Sequence, residues 1–229
     1  MGKGDSRNLV GPATGANDIT LNYSVFQAGE EFPQHFHEES ADIFIVLEGG
    51  VSVRQGDAYT PITAGEFAYV PSPEVHGTVN TSGAEATLIS FQAPPDFALY
   101  RGERDPSQTG TTPRPPDNHK TTVRIDQLAS GEFSEHGEAQ AWQPASPVNG
   151  TPEMRLEFYE LDEGGRVEAP ASIDKEAVWF VWDGEVTISS GGDTFQAGRH
   201  DGAFIPPGEA QVVLNDHNEP ARLIRCQAV

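Results

Sequence analysis

Short runs of β-branched and aromatic residues recur along the chain, and few stretches carry the spacing of a helix. The runs fall at residues 19–27, 43–47, 51–54, 67–70 and 87–91, then at 154–161, 178–182, 186–189, 203–205, 212–214 and 221–226. Gly, Pro, Asn or Asp clusters bound most of them. Short apolar runs punctuated in this way predict an all-β sandwich or barrel. The stretch 101–118 is different: it has no apolar face, and Pro106, Pro113, Pro115 and Pro116 sit among Ser, Thr and Gly. It reads as a connector or a strap on the surface.

The two sets of runs repeat one another. Gly29, Gly49, Gly56, Pro71 and Asn80 return 135 positions later as Gly164, Gly184, Gly191, Pro206 and Asn215. Core positions keep the same offset, pairing Val46 with Val181, Val51 with Val186, Val53 with Ile188, Ala68 with Ala203 and Val70 with Ile205. Turn glycines and prolines held in one register over this distance predict two copies of one β-domain. The expected division is 1–100, a Pro-rich linker at 101–119, and 120–229. Strand alternation puts Phe44 and Val46 on one face and Ile43 and Ile45 on the other. Tyr23, Phe26, Phe67, Tyr69 and Phe91 are aromatic candidates for a barrel interior. Phe44, Val46 and Tyr69 are the candidates for a pocket lining, Tyr69 because a buried hydroxyl must find a partner.

Charge narrows the function classes. The 229 residues carry 14 Lys and Arg against 35 Asp and Glu, a formal charge of −21. The excess is spread evenly, −10 over residues 1–98 and −11 over the rest, so it is a property of the whole surface. Nucleic acid is thereby excluded as a partner, since phosphate binding needs basic patches. An acidic coat of this kind suits high ionic strength, and a halophilic source is an expectation. No apolar run reaches membrane-spanning length, so no membrane partner is expected. The first residues show no apolar core of a secretory signal, and a single cysteine, Cys226, permits no intrachain disulfide. A cytoplasmic location is the expectation.

Histidines at informative spacing occur only in the first copy. His35 and His37 are two apart and share one face of a strand. Asp42 follows, and His76 comes after Pro71-Ser72-Pro73, at the start of another run. Neutral imidazoles and a carboxylate converging on one face suit a divalent first-row metal, with octahedral positions left open for substrate or oxygen. At the matching positions the second copy has Pro170, Ser172, Ala177 and Gln211, so it is expected to hold no metal. Trp179 and Trp182 read as core there, and His119, His136, His200 and His217 as surface residues.

Gly29-x5-His35-Phe36-His37-x4-Asp42-x6-Gly49 resembles the first cupin motif. Gly65-x5-Pro71-x-Pro73-x2-His76-x3-Asn80 resembles the second, across the short intermotif typical of microbial cupins. With the repeat, the chain resembles a bicupin over nearly its whole length. Two positions depart from the pattern: Asp42 stands where the family usually has glutamate, and Pro73 where it has glycine. Asp42 is either a ligand or, with the histidines holding the metal alone, an acid/base or supporting group. Glu38 and Glu39 read as a solvated loop.

The resemblance implies two tandem jelly-roll barrels, the first with one divalent metal (Fe, Mn, Ni, Cu, Co or Zn) and an opening for a small-molecule substrate. Bicupins with metal in one half include dioxygenases similar to quercetinase, in which a carboxylate acts as base; by position that would be Asp42. Oxygen-independent isomerase, cyclase or lyase chemistry and metal-assisted ligand binding or sensing are the alternatives. The resemblance also brings a homodimer as an expectation.

Overall fold

The structure, a computed structural model, describes residues 4–103, 123–124, 134–136 and 139–229. It divides into two compact units, one from Met1–Pro12 with Thr20–Gln127 and one from Ala13–Ile19 with Leu128–Val229. Residues 13–19 thus group with the second unit. The buried Glu176 carboxylate accepts from the backbone N–H of Asn17 (2.9 Å), Asp18 (2.7 Å) and Ile19 (3.3 Å). Of the expected linker, residues 104–119 lie outside the described residues, as does His119.

The first unit contains β1 (Asp5–Val10), β2 (Thr20–Phe26), β3 (Glu31–His35), β4 (Ala41–Glu48), β5 (Gly50–Gln55), β6 (Ala58–Thr63), β7 (Glu66–Val70), β8 (His76–Val79), β9 (Ala86–Ala93), α1 (Phe97–Tyr100) and β10 (Val123–Arg124). One sheet runs β1-β2-β9-β4-β7-β10 and the other β3-β8-β5-β6. Antiparallel pairing joins the strands. Phe26, Phe44, Val46, Ala68 and Leu88 from the larger sheet pack with Val51, Val53 and Ile62 from the smaller. β4 lies centrally and is buried on both faces, which is why it reads as a near-continuous apolar run. β6 is an edge strand, mostly exposed, and so tolerates Pro61.

The second unit contains β11 (Ser134–His136), β12 (Ala139–Ala145), β13 (Met154–Leu161), β14 (Arg166–Ala169), β15 (Ala177–Asp183), β16 (Val186–Ser190), β17 (Asp193–Ala197), β18 (Gly202–Ile205), β19 (Gln211–Leu214) and β20 (Ala221–Ala228). Its sheets run β11-β12-β13-β20-β15-β18 and β14-β19-β16-β17. Both units are jelly rolls, and the same offset relates their strands: β9 to β20, β4 to β15, β8 to β19.

The repeated turn residues do the same work twice. Gly49 and Gly184 have φ of 73° and 83°, and a Cβ on either would lie 2.6 Å from Glu85 O or 2.8 Å from Pro220 O. Asn80 Nδ2 donates to Phe26 O at 2.9 Å, and Asn215 Nδ2 to Leu161 O at 3.0 Å. Each asparagine pins the end of one strand to a turn that would otherwise leave buried carbonyls unpaired. Among the described residues, no helix is long and apolar enough to cross a membrane.

Candidate metal centre

Four side chains converge inside the first barrel. His35 ends β3 and lies opposite His76, which opens β8. His37 follows β3 by two residues, and Asp42 is the second residue of β4, opposite Gln92 of β9. Strand alternation turns Asp42 and Phe44 inward together. One ligand atom from each of His35, His37, Asp42 and His76 lies within 4.8 Å of the other three, and all four residues are buried.

The imidazoles are oriented before any ion arrives. His35 Nδ1 donates to Pro33 O at 2.9 Å and His76 Nδ1 to Glu74 O at 2.8 Å. His37 Nδ1 donates to the Asp96 carboxylate at 2.8 Å. With Nδ1 carrying the donated proton, each ring is left to turn Nε2 toward the centre. Burial, reinforced by His76 and His37, pulls His35 down from 6.5 to about 3, so it is neutral at pH 7. Burial by itself would raise the Asp42 carboxyl; His37 and His76 outweigh that and hold it below the usual carboxylate range. Phe32 and Phe44 pack edge-on against His35 and His76, with ring centroids 5.1 and 5.8 Å apart.

The donor set fits one divalent transition-metal ion. Asp42 Oδ2 lies 2.9 Å from His76 Nε2 and 3.1 Å from His37 Nε2. Yet Asp42 Oδ2 and His76 Nε2 are buried with no hydrogen-bond partner. His35 Nε2, bare in the neutral ring, faces His37 Nε2 across 3.1 Å. Lone pairs and a carboxylate oxygen gathered this closely, away from water, need a cation among them.

A cavity of about 810 Å³ opens from this cluster. Its apolar side is Phe26, Phe32, Phe44, Leu88 and Leu99; its polar side includes Asn8, Asn22, Ser24, Ser90 and Tyr100. Such a mixed lining suits a small organic molecule carrying a few oxygens. Of the residues the sequence singled out for the pocket, Phe44 lines the cavity. Val46 shares its face but packs in the core beside Val51 and Val53. Tyr69 pairs with Ile43 across β7 and β4, which turns it to the opposite face, buried and outside the lining. Phe91 and Phe67 lie on that face too, opposite Ile43 and Ile45.

Two residues at the centre were not anticipated. Gln92 Nε2 donates to Asp42 Oδ1 at 3.3 Å and lies 3.0 Å from His37 Nε2. Asp96 holds His37 and caps α1, its Oδ1 accepting from Leu99 N at 3.1 Å. An Asp just after Pro94-Pro95 is a helix-start signal. Its partnership with His37, 59 residues away, has no sequence signature.

In the second unit the corresponding place is filled. Ala177 is buried in the core with Trp179. Gln211 Oε1 accepts from Trp179 Nε1 at 2.8 Å and from Arg225 Nε at 3.2 Å. His200, expected at the surface, is half-buried and stacks on Phe180 at 5.9 Å.

Residues 22–91 match the family model of the cupin domain. Polyketide synthase CurC of Streptomyces cyaneus is 27% identical over 92 residues, which are 40% of this chain and 60% of that protein. The match therefore spans less than two thirds of the relative. Oxalate decarboxylase of Lactobacillus farciminis, in its formate complex, superposes with a TM-score of 0.73 at 16% identity, covering 99% of this chain and 81% of that one. Salicylate 1,2-dioxygenase of Pseudaminobacter salicylatoxidans gives 0.72 at 16% identity, covering 98% and 76%. Residues 22–91 of the first unit thus match a cupin domain, and the chain shares the fold of these two structures.

Proposed function

We propose that the protein is a metal-dependent enzyme acting on a small oxygenated organic molecule, most simply a dioxygenase of the quercetinase kind. The observation that supports this best is the set of buried, pre-oriented donors opening onto a cavity large enough for a multi-ring substrate. His35, His37 and His76 would hold the ion, and Asp42 would join them or act beside them. The ion would supply Lewis acidity and open positions toward the cavity.

This chain's own residues then account for binding and proton handling. A phenol or enol enters with its hydroxyl toward the cluster and its rings along Phe32, Phe44 and Leu88. The proton released from that hydroxyl goes to Asp42, whose Oδ1 is steadied by Gln92 and whose Oδ2 faces the centre. The electron-rich anion left behind is the species that reacts with molecular oxygen, both of whose atoms enter the product. Asn22, Ser24 and Ser90 offer hydrogen bonds to further substrate oxygens.

Oxygen uptake by the metal-loaded protein with flavonols and β-diketones tests the reading. Substrate-dependent uptake that His76→Ala abolishes is the expected result. The likeness to polyketide synthase CurC favours a second reading, in which the same deprotonation leads to cyclisation or isomerisation without oxygen. Product formation under argon would select it and remove the dioxygenase.

A further inference from the structure

The three imidazoles are not held in the same way. His35 and His76 give their Nδ1 protons to carbonyls two residues earlier in the chain, so the barrel frame itself orients them. His37 depends on a side chain, Asp96, which lies past the end of β9 and belongs to α1 rather than to a sheet. The same carboxylate has a second task, because its other oxygen caps the helix at Leu99 N. Its backbone N–H is anchored to Gln92 Oε1 at 2.7 Å, and Gln92 also touches Asp42.

The far end of α1 is fastened as well. Tyr100 hydroxyl sits 2.8 Å from Thr20 Oγ1 and accepts from Asn22 Nδ2 at 2.9 Å, both on β2. Leu99 and Tyr100 line the cavity, so the seating of α1 decides the shape of the substrate chamber. A cation on His37 Nε2 draws electron density from the ring and makes Nδ1–H a stronger donor to Asp96. Tightening that contact holds the carboxylate where it caps α1.

We propose that Asp96 is a positioning residue that couples occupancy of the metal site to the seating of α1 against the cavity, so that the chamber takes its final shape only when the ion is in place. This rests on the metal reading above. Coupling of this kind is reciprocal: the ion orders α1, and a well-seated α1 raises affinity for the ion by the same factor, of order 5–150-fold for coupled sites.

Amide hydrogen exchange of peptides covering 97–102, with and without one equivalent of Zn2+, tests the coupling. Bound metal is measured on the same samples. In the wild type, exchange of these amides should slow by about tenfold or more on loading, within the range of coupled sites. Asp96→Asn should bind zinc about 10–100-fold more weakly and, at saturating zinc, should show no added protection of α1. Tyr100→Phe touches no ligand and keeps Asp96, yet by reciprocity it should weaken zinc binding several-fold; a merely structural role for Asp96 would leave its zinc affinity unchanged. Bound zinc with unchanged exchange at 97–102, or Asp96→Asn with wild-type affinity, would overturn the coupling while leaving the metal centre standing. Failure of the wild type to bind zinc, manganese or iron would remove both.

Discussion

The two barrels share a frame and differ in what they enclose. In the first, Asn22, Ser24, Phe44 and Ser90 face an open cavity. Displaced by the repeat, their counterparts are Glu157, Tyr159, Trp179 and Arg225. Those larger side chains close on one another. Trp179 is fully buried against Tyr159, ring centroids 5.2 Å apart, and Arg225 reaches Glu157 at 2.6 Å. One interior therefore leaves ligand atoms unsatisfied around a space, whereas in the other Trp179, Gln211, Arg225 and Glu157 satisfy one another. A buried polar group is costly unless it finds a partner, so the first interior makes sense around an ion and the second without one.

The largest expected difference between the halves is in metal. Purified protein should hold about one equivalent, four donors on one side making one site, by plasma mass spectrometry. His35→Ala or His76→Ala should lower the affinity by more than about 100-fold, because loss of a supporting partner alone costs about 10–100-fold. Gln211→Ala should leave the metal untouched; retained metal in His76→Ala would break the comparison.

Packing should separate the halves in the opposite sense. Trp179→Ala removes a fully buried ring and should destabilise the second unit by about 3–5 kcal/mol in urea titrations. Phe44→Ala should cost less, since its ring already borders open space. Equal losses would mean that the first interior is as closely filled as the second.

The shared frame predicts equality. Asn80→Ala and Asn215→Ala each strip one buried and one partly buried carbonyl of a donor and should each cost about 1–3 kcal/mol. A large inequality would show that the repeated turns do not carry equal weight.

The smallest effect is in mild acid, on metal-free protein. Folded His35 resists protonation to about pH 3, whereas in the unfolded chain it titrates near 6.5. The unfolded state then binds the extra proton, and stability should fall as pH drops below 6.5 toward 3. His35→Gln should flatten that slope in urea midpoints measured at several pH values; an unchanged slope would assign it elsewhere.

Much of this was legible in the chain. The apolar runs became β2, β4, β5, β7, β9 and their counterparts, because each is buried on at least one face. β1, β6 and β17 carry no such run. They are polar or exposed and sit at or near sheet edges, where neighbours rather than burial define them. The candidate donors were legible because His35, His37, Asp42 and His76 fall at motif spacing, although His37 lies past the end of β3 rather than on its face. Gln92 was not, although it lies opposite Asp42, since the register between β4 and β9 is not written in either strand.

By itself the sequence determined two β-domains in one register, an acidic composition, and a metal-ligand pattern confined to the first half. Those are local or periodic properties, set by which side chains the backbone turns to one face. Only the tertiary structure decided that Tyr69 turns away from the cavity, that residues 13–19 belong with the second unit, and that Asp96 serves His37. Each depends on which distant strands become neighbours, and that choice is made by packing the whole core at once.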